Sequence, residues 1–589
     1  MRKTRFHLRG SLPGILLFAT ILLWPTGHLI SQDDADSTDL LRTIADTLLP
    51  DPPDGLYGSV GASLIAYDID GLPARREPLS WTVDGSLNAT LLGFDIPIDF
   101  TLSEQERSFR QPFNRIGFSP GIGPLRTHLG YRSMRFSDYT LAGVTFLGGG
   151  VELAPGGFRL MGMYGRLQRA VEEDTTEQFV LPAYERWGYG AKIGYESTIV
   201  DVGVSYFHAW DDSSSLVRRP TTADVRPQEN SVAGLTLGFA IIPERLRIEA
   251  EAGASILTRD VGSIPSDTND IPGEINSIQT VRNSTTLTLA TKAGLEYLSD
   301  DFRARLGYER IEPEYESLGA YYFTTDVERF TLEPAVNLFD RRLRLSGSIG
   351  LEHDNLLDNR LARTNRVIGS ALVGWDPSQT FGIDASYLNY STGQSAGRER
   401  INDTIAVRNV SQSASLAPRL LFVGPATNHF ITLVGMMQDY TDRNAFTNEL
   451  SDSRTVTGNL IYSLSFVETP LTTGASLLLS ETTTGAIVTT AIGGSLNGGL
   501  GFSDGDLSLT GSVGYTRTSQ DFNGVATSAN VFNENLNAAY RLTDNDQISL
   551  SAYATQSDGN LSLSSDFEEM TAVLSYRHSF SIGGDDDDE

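Results

Sequence analysis

The chain has 589 residues, 74 acidic against 45 basic side chains, a formal charge of −29 and no cysteine. Those counts exclude a disulfide framework, a thiolate nucleophile and a Cys-ligated metal site, and they argue against nucleic-acid binding through a general basic surface. Tyr, Phe, Gly, Ser and Thr are plentiful while Lys is rare, a mix that favours strands and turns over helices.

In chain order, the first element is a processing signal. Arg2, Lys3, Arg5 and Arg9 precede the apolar run SLPGILLFATILLW, which Pro13 interrupts and which is too short for a membrane span. Residues 1–31 therefore read as a signal peptide, cut near Ser31–Gln32, and the protein is expected to be exported. Residues 32–55 form a periplasmic lead-in. Leu40, Leu41, Ile44, Ala45 and Leu48 fall there at helical spacing, and Pro50, Pro52 and Pro53 stop the short helix.

From Leu56 to Phe580 the pattern is strand after strand, about 24 segments, with 22 and 26 as neighbouring even counts. In TIVDVGVSYFHAW, Val200, Val202, Val204, Tyr206 and Trp210 share a face opposed by Asp201, Gly203 and Ser205. RRLRLSGSIGLE and DLSLTGSVGYT alternate in the same way. A sandwich also alternates, so the connections carry more weight. Tight ones at Ala154–Gly157, Pro243–Glu244, Ser299–Asp301, Phe339–Arg341, Asp376–Ser378, Gly424–Asn428, Ser503–Asp506 and Thr543–Asn545 are interleaved with long polar ones. The long ones are Asp211–Glu229, Asp260–Arg282, Glu312–Ala320, Asn355–Ala362, Ser391–Thr404, Asp442–Ser453 and Gln520–Ser528. Short periplasmic turns alternating with long extracellular loops are the rhythm of an antiparallel transmembrane β-barrel. Phe158, Phe302, Phe381, Phe430 and Trp375 beside the short turns, and Tyr206, Trp210 and Tyr390 near the long loops, are placed as two aromatic girdles.

The last strand, MTAVLSYRHSFSI, puts Ala572, Leu574, Tyr576, His578 and Phe580 on one face. Its SYRHSF resembles the C-terminal assembly signal of bacterial outer-membrane barrels, in which Tyr576, His578 and Phe580 are the counterpart positions, although here residues 581–589 follow as an acidic periplasmic tail. The chain as a whole resembles the large outer-membrane β-barrels of Gram-negative bacteria. One stretch, Leu129 to Asp174, LGYRSMRFSDYTLAGVTFLGGGVELAPGGFRLMGMYGRLQRAVEED, is similar to poorly characterised barrels of Bacteroidota-type bacteria. The resemblance implies a location, the cell outer membrane, and as partners outer-membrane lipid and lipopolysaccharide and the barrel-assembly machinery during biogenesis.

Two constellations bear on function. On the polar parity beside the short turns stand Lys192, Arg245, Arg247, Arg303, Arg305, Arg342, Arg344, Arg419 and Arg541, with Glu249, Glu251, Glu309 and Glu352 further up. Such charged walls set ion preference in pores, and equally they make a salt-bridged wall that only stabilises the barrel. Arg107, Arg110, Arg115, Arg126, Arg132 and Arg135 cluster between the third and fourth expected strands and are read as a constriction loop folded into the lumen; an external cap or irregular extra strands is the alternative. GFSDG at Gly501–Gly505 matches a nucleophile elbow but lacks the helix that would follow. Asp68 and Asp70 lack the remaining ligands of a calcium loop, and Glu352, His353 and Asp354 read as a surface cluster. No cofactor, metal site or catalytic residue is expected. The reading is an all-β transmembrane barrel, not an enzyme, forming a porin-like channel for small solutes or ions. The alternative is the barrel of a protein-secretion or surface-assembly complex with a surface or periplasmic lipoprotein partner.

Overall fold

The computed structural model describes residues 55–91, 93–104, 112–173, 181–220, 224–266, 271–321, 323–397, 406–502, 505–559 and 566–583. The expected signal peptide and residues 584–589 of the acidic tail lie outside them, as does the lead-in except for Gly55. Among the described residues, 27 strands join one sheet, antiparallel throughout. It runs from β1 (Gly55–Asp70) to β27 (Phe567–Ile582), and those two pair with each other from Leu56↔Ile582 to Asp70↔Glu568, so the sheet closes without an edge. β4 (Arg115–Phe118) and β5 (Gly121–Ile122) share one place between β3 (Phe94–Ser103) and β6 (Leu125–Arg135), so the wall holds 26 staves. The count exceeds the expected 24 and lies at the edge of the expected range.

At the end where β1 starts and β27 finishes, the proximal end, consecutive strands are joined by two to five residues; at the distal end the connections run from two to 26. Two connections differ from expectation. Gln520–Ser528 is not a loop: β24 (Leu507–Phe522) turns straight into β25 (Val525–Arg541) through Asn523 and Gly524, both at positive φ. Asn-Gly is the pair a type I′ hairpin selects, because both central residues need the left-handed region. Likewise Ser391–Ala396, expected in a loop, continues β18 (Phe381–Ala396).

The register fixes two faces around the whole wall. One carries Ile193 of β9 (Glu185–Glu196), Val204 of β10 (Val200–Asp212) and Leu235 of β11 (Glu229–Ile242), which meet in register. The same parity holds Leu460 of β21 (Ser453–Phe466), Leu477 of β22 (Leu471–Thr484), Leu574 and Leu64. These side chains are half exposed with no protein layer over them; Ile193 is 64% and Leu477 62% exposed. An apolar face left bare around a closed barrel is the face that meets lipid. Phe158, Trp375 and Phe381 lie on this outer parity, whereas Phe430 and Tyr390 fall on the inner one and leave the expected girdles. Leu477→Arg at mid-strand is expected to cost about 2–4 kcal/mol, read as a lower urea midpoint in vesicles; an unchanged midpoint would remove that face from the lipid.

Candidate functional site

Opposite residue types line the inner parity. Lys192 (β9), Arg247, Glu249 and Glu251 (β12, Leu246–Thr258), Lys292 and Glu296 (β13, Thr285–Leu298), Arg303, Arg305 and Glu309 (β14, Phe302–Ile311) all share it. It continues through Arg329 and Glu333 (β15, Val327–Leu338), Arg344 and Glu352 (β16, Leu343–His353), Arg366 (β17, Ala362–Trp375) and Arg419 (β19, Arg408–Val423). Arg245 and Arg342 stand in proximal turns and Arg541 ends β25.

Most of these charges are compensated. In the proximal tier Arg247 meets Glu249 at 2.9 Å and Asp201 at 3.7 Å, Arg303 meets Glu296 at 2.7 Å, and Arg344 meets Asp376 at 2.9 Å. Arg419 pairs with both Asp376 and Asp384. In the distal tier Arg329 reaches Glu309 at 3.5 Å, and Glu352 lies between Arg329 at 2.6 Å and Arg366 at 2.7 Å. The inner positions of β21 to β26 are different in kind: apart from Arg541 they hold no charged side chain. Hydroxyls pair there across strands, Thr455 with Thr482, Thr457 with Ser480 and Ser476 with Ser495, at 2.8–2.9 Å. The lumen therefore has a charged side and a neutral, hydroxylic side.

The arginines read as a constriction loop do not enter the lumen where they are described. Arg107 and Arg110 lie outside the described residues, but Arg115 is in β4 and Arg126, Arg132 and Arg135 are in β6, so this stretch is wall. Arg132 ties β6 to β3, with Asp99 at 2.6 Å. What folds inward is the next connection, Phe136–Leu141, between β6 and β7 (Ala142–Leu153). It lies along the inner face of β9 to β14 as a strap, and residues 312–321 of a second distal connection close over it. Phe136 and Leu141 pack with Phe207 and Leu257 in one buried apolar cluster that also takes Leu318; Tyr139, Tyr315 and Val327 form another.

Glycines on the inner parity make the room. A Cβ at Gly253 would sit 2.6 Å from Tyr139 Cβ and from Tyr315 Oη, and one at Gly190 2.7 Å from the Phe136 ring. Polar groups then fix the strap in place. The Tyr139 amide donates to Glu251 at 3.1 Å and its hydroxyl to Glu309 at 3.0 Å; Tyr315 donates to the Tyr139 carbonyl at 2.6 Å and Ser317 to the Thr140 carbonyl at 2.5 Å. Asp138 accepts from Lys292 and Arg135, and Lys292 also meets Glu251 at 2.9 Å. Burial, with Glu309 and Glu251 nearby, pushes the Tyr139 hydroxyl well above its ordinary range, so it stays a donor at every pH the barrel meets.

Burial pushes the Asp138 carboxyl up, but the Lys292 ammonium and the Arg135 guanidinium outweigh it and hold its pKa below the ordinary 3.8. A depressed carboxyl stabilises the docked strap above its ordinary pKa and loses that contribution as pH falls through the lowered one. Strap exchange protection is thus expected to be flat from pH 7 to 5 and to fall only below about pH 4. Asp138→Asn should remove the acid step and loosen the strap at pH 7, as read by hydrogen exchange; a fall already at pH 5–6 would contradict this assignment.

The strap was legible only in hindsight. Phe136–Tyr139 reads as the end of the arginine-rich segment between the third and fourth expected strands, and EPEYESLGA as a long polar loop; the signal in both inward segments is a Tyr and a Leu, too apolar for segments facing water.

Proximal to the strap, the charged wall encloses a recess of 440 Å³ with Gly238, Gly294 and Gly307 among its lining residues. Arg247, Lys292, Arg305 and Arg329 face Asp201, Glu249, Glu251, Glu309 and Glu333 across it. A closed wall with a bare apolar exterior and a charged, indented interior settles the class. This is a large transmembrane β-barrel of the outer-membrane type.

No protein-family model matches this barrel, and no curated protein does. Among solved structures it is similar to OccAB3 of Acinetobacter baumannii, at 9% identity and a TM-score of 0.31 over 65% of this chain and 98% of that one. It is also similar to the copper transporter OprC (13%, 0.36, 90% of this chain and 81% of that one) and to the FrpB iron transporter of Neisseria meningitidis (10%, 0.35, 91% and 83%). At such identities these likenesses carry neither residue roles nor substrates to this barrel.

Proposed function

We propose that the barrel is a channel of the Gram-negative outer membrane that passes small hydrophilic solutes or ions, without a chemical step. The observation that carries this reading is a closed 26-stave wall whose inner parity is charged on one side and hydroxylic on the other: a barrel of that circumference encloses more space than its own inward side chains fill. The strap narrows the charged side at the distal end and leaves the hydroxylic side of β21–β26 uncovered among the described residues. Two walls of different polarity serve solutes of different kinds: charged groups steer ions, and a hydroxyl-lined face exchanges hydrogen bonds with neutral polar molecules at little cost. Outer-membrane lipid, lipopolysaccharide and the assembly machinery are the partners this reading calls for.

Swelling of proteoliposomes in isosmotic sugar tests it. Pentose and hexose uptake should exceed that of protein-free vesicles several-fold and fall with solute size. Rates equal to those of empty vesicles, from protein shown to be folded and inserted, would defeat the channel reading and favour the secretion or surface-assembly alternative.

A further inference from the structure

Within the charged recess two side chains stand apart from the compensation around them. Among the described residues no ion pair or side-chain hydrogen bond holds Arg305 or Glu333, while Arg247, Glu249, Glu251, Lys292, Glu309 and Arg329 all have partners. The two are register partners on β14 and β15, both on the inner parity and both exposed to the lumen. Cross-strand neighbours of opposite charge ordinarily meet. Here they do not, because the Arg305 guanidinium turns toward β13: a Cβ built on Gly294 would find its Nη2 at 3.6 Å and its Nε at 3.7 Å. The absent side chain at Gly294 gives the guanidinium its berth, while the place a side chain at Gly307 would take, between Gly294 and Thr331 in register, is held by the Thr331 hydroxyl, which lines the recess beside Glu333.

We propose that this slot is a binding site for small zwitterions, free amino acids or short peptides, held with the carboxylate on Arg305 and the ammonium on Glu333. The inference rests on the channel reading only in supposing that such solutes reach the lumen. A guanidinium presents a planar fork that receives a carboxylate in two parallel hydrogen bonds. An exposed carboxylate accepts from an ammonium's three donors. A simple anion would meet Glu333 uncompensated, and a simple cation would meet Arg305 in the same way, so the arrangement rejects single charges by leaving one wall group unpaired. The other charged groups of the recess each already have an ionic partner and offer a further ion less than Arg305 and Glu333 do.

The probes are L-alanyl-L-alanine, its N-acetyl derivative, which is only an anion, and its methyl ester, which is only a cation. Their binding to the detergent-folded barrel is followed by saturation-transfer NMR, with folding confirmed by circular dichroism. The dipeptide should bind more tightly than either derivative by about tenfold, the loss of one charge-assisted contact. Arg305→Gln should weaken the dipeptide about tenfold and leave the ester unchanged; Glu333→Gln should weaken it similarly and spare the N-acetyl compound. Both residues are exposed and unpaired, so neither substitution threatens the fold. Derivatives binding as well as the dipeptide, a dipeptide that does not bind, or variants with unaltered affinity would each overturn the assignment. Conductance of the same preparation separates this inference from the channel reading. A conducting barrel that ignores the dipeptide overturns the site alone, and a silent barrel that binds it overturns the channel alone.

Discussion

Gly253→Val should expel the strap from the lumen. The new Cβ would stand 2.6 Å from Tyr139 Cβ and from Tyr315 Oη, where real contacts do not occur. Gly253 is in mid-β12, paired with Gly234 on one side and Ala290 on the other, so its own backbone cannot retreat without breaking the wall. The strap and residues 312–321 must therefore give way. Overpacking of this kind costs about 1–3 kcal/mol, which lowers the docked-to-undocked ratio by roughly five- to hundredfold at about 1.4 kcal/mol per tenfold. Hydrogen exchange in peptides covering Phe136–Leu141 and residues 312–320 should accelerate by that factor while the strands of β21–β26 keep their protection. Protection unchanged in both segments would mean that the strap is not seated on β12.

Glu352→Gln should produce the largest loss of stability among single changes to the ion pairs of the inner wall. Its side chain is 5% exposed and accepts from Arg329 at 2.6 Å and Arg366 at 2.7 Å, bridging β15 and β17 through β16. Removing the charge leaves two guanidinium groups facing one neutral amide. Breaking a fully buried pair costs about 3–5 kcal/mol, but Arg329 and Arg366 are 35% and 25% exposed to the lumen, so solvent screens part of it. An expected cost of about 2–3 kcal/mol remains, read as a shift of the urea midpoint in detergent. Glu352→Gln with Arg329→Met should recover only a small part of the loss, because one cation facing the amide is gone while Glu309 gives up its ion pair with Arg329. A single variant as stable as the parent would show the triad to be idle.

The faces were legible because a membrane barrel imposes one rule, alternation, at every strand. Val200, Val202 and Val204 against Asp201 and Gly203 needed no knowledge of neighbours. Strand number was less legible, since strands joined by two-residue turns at both ends run together in sequence. Asn523–Gly524 carried its hairpin signal openly, yet the polar residues around it suggested a loop. Girdle membership failed at Tyr390 and Phe430, where the aromatic side chain occupies the inner parity of a wide barrel. Closure of the sheet fixes that parity, whereas local composition does not. The site divides in the same way. That arginines and glutamates would share one face followed from parity alone; in the register those within strands fall on one parity, while Arg245 and Arg342 stand in turns. Which of them pair depends on contacts between strands, so Arg305 and Glu333 could not be told from Arg303 and Glu296 in sequence. The inward strap depended on contacts more than a hundred residues distant, such as Tyr139 with Glu251 and Glu309, and the arginine-rich stretch before it was the misleading signal.

The most direct test of an open, polar lumen is single-channel conductance of the purified, refolded barrel in planar bilayers, with reversal potentials in a potassium chloride gradient. The account predicts large, steady conductance steps, and larger steps from Gly253→Val, whose strap no longer covers the charged side. Folded, inserted protein that stays silent in both forms would contradict it, since no displaced strap would then account for a closed lumen.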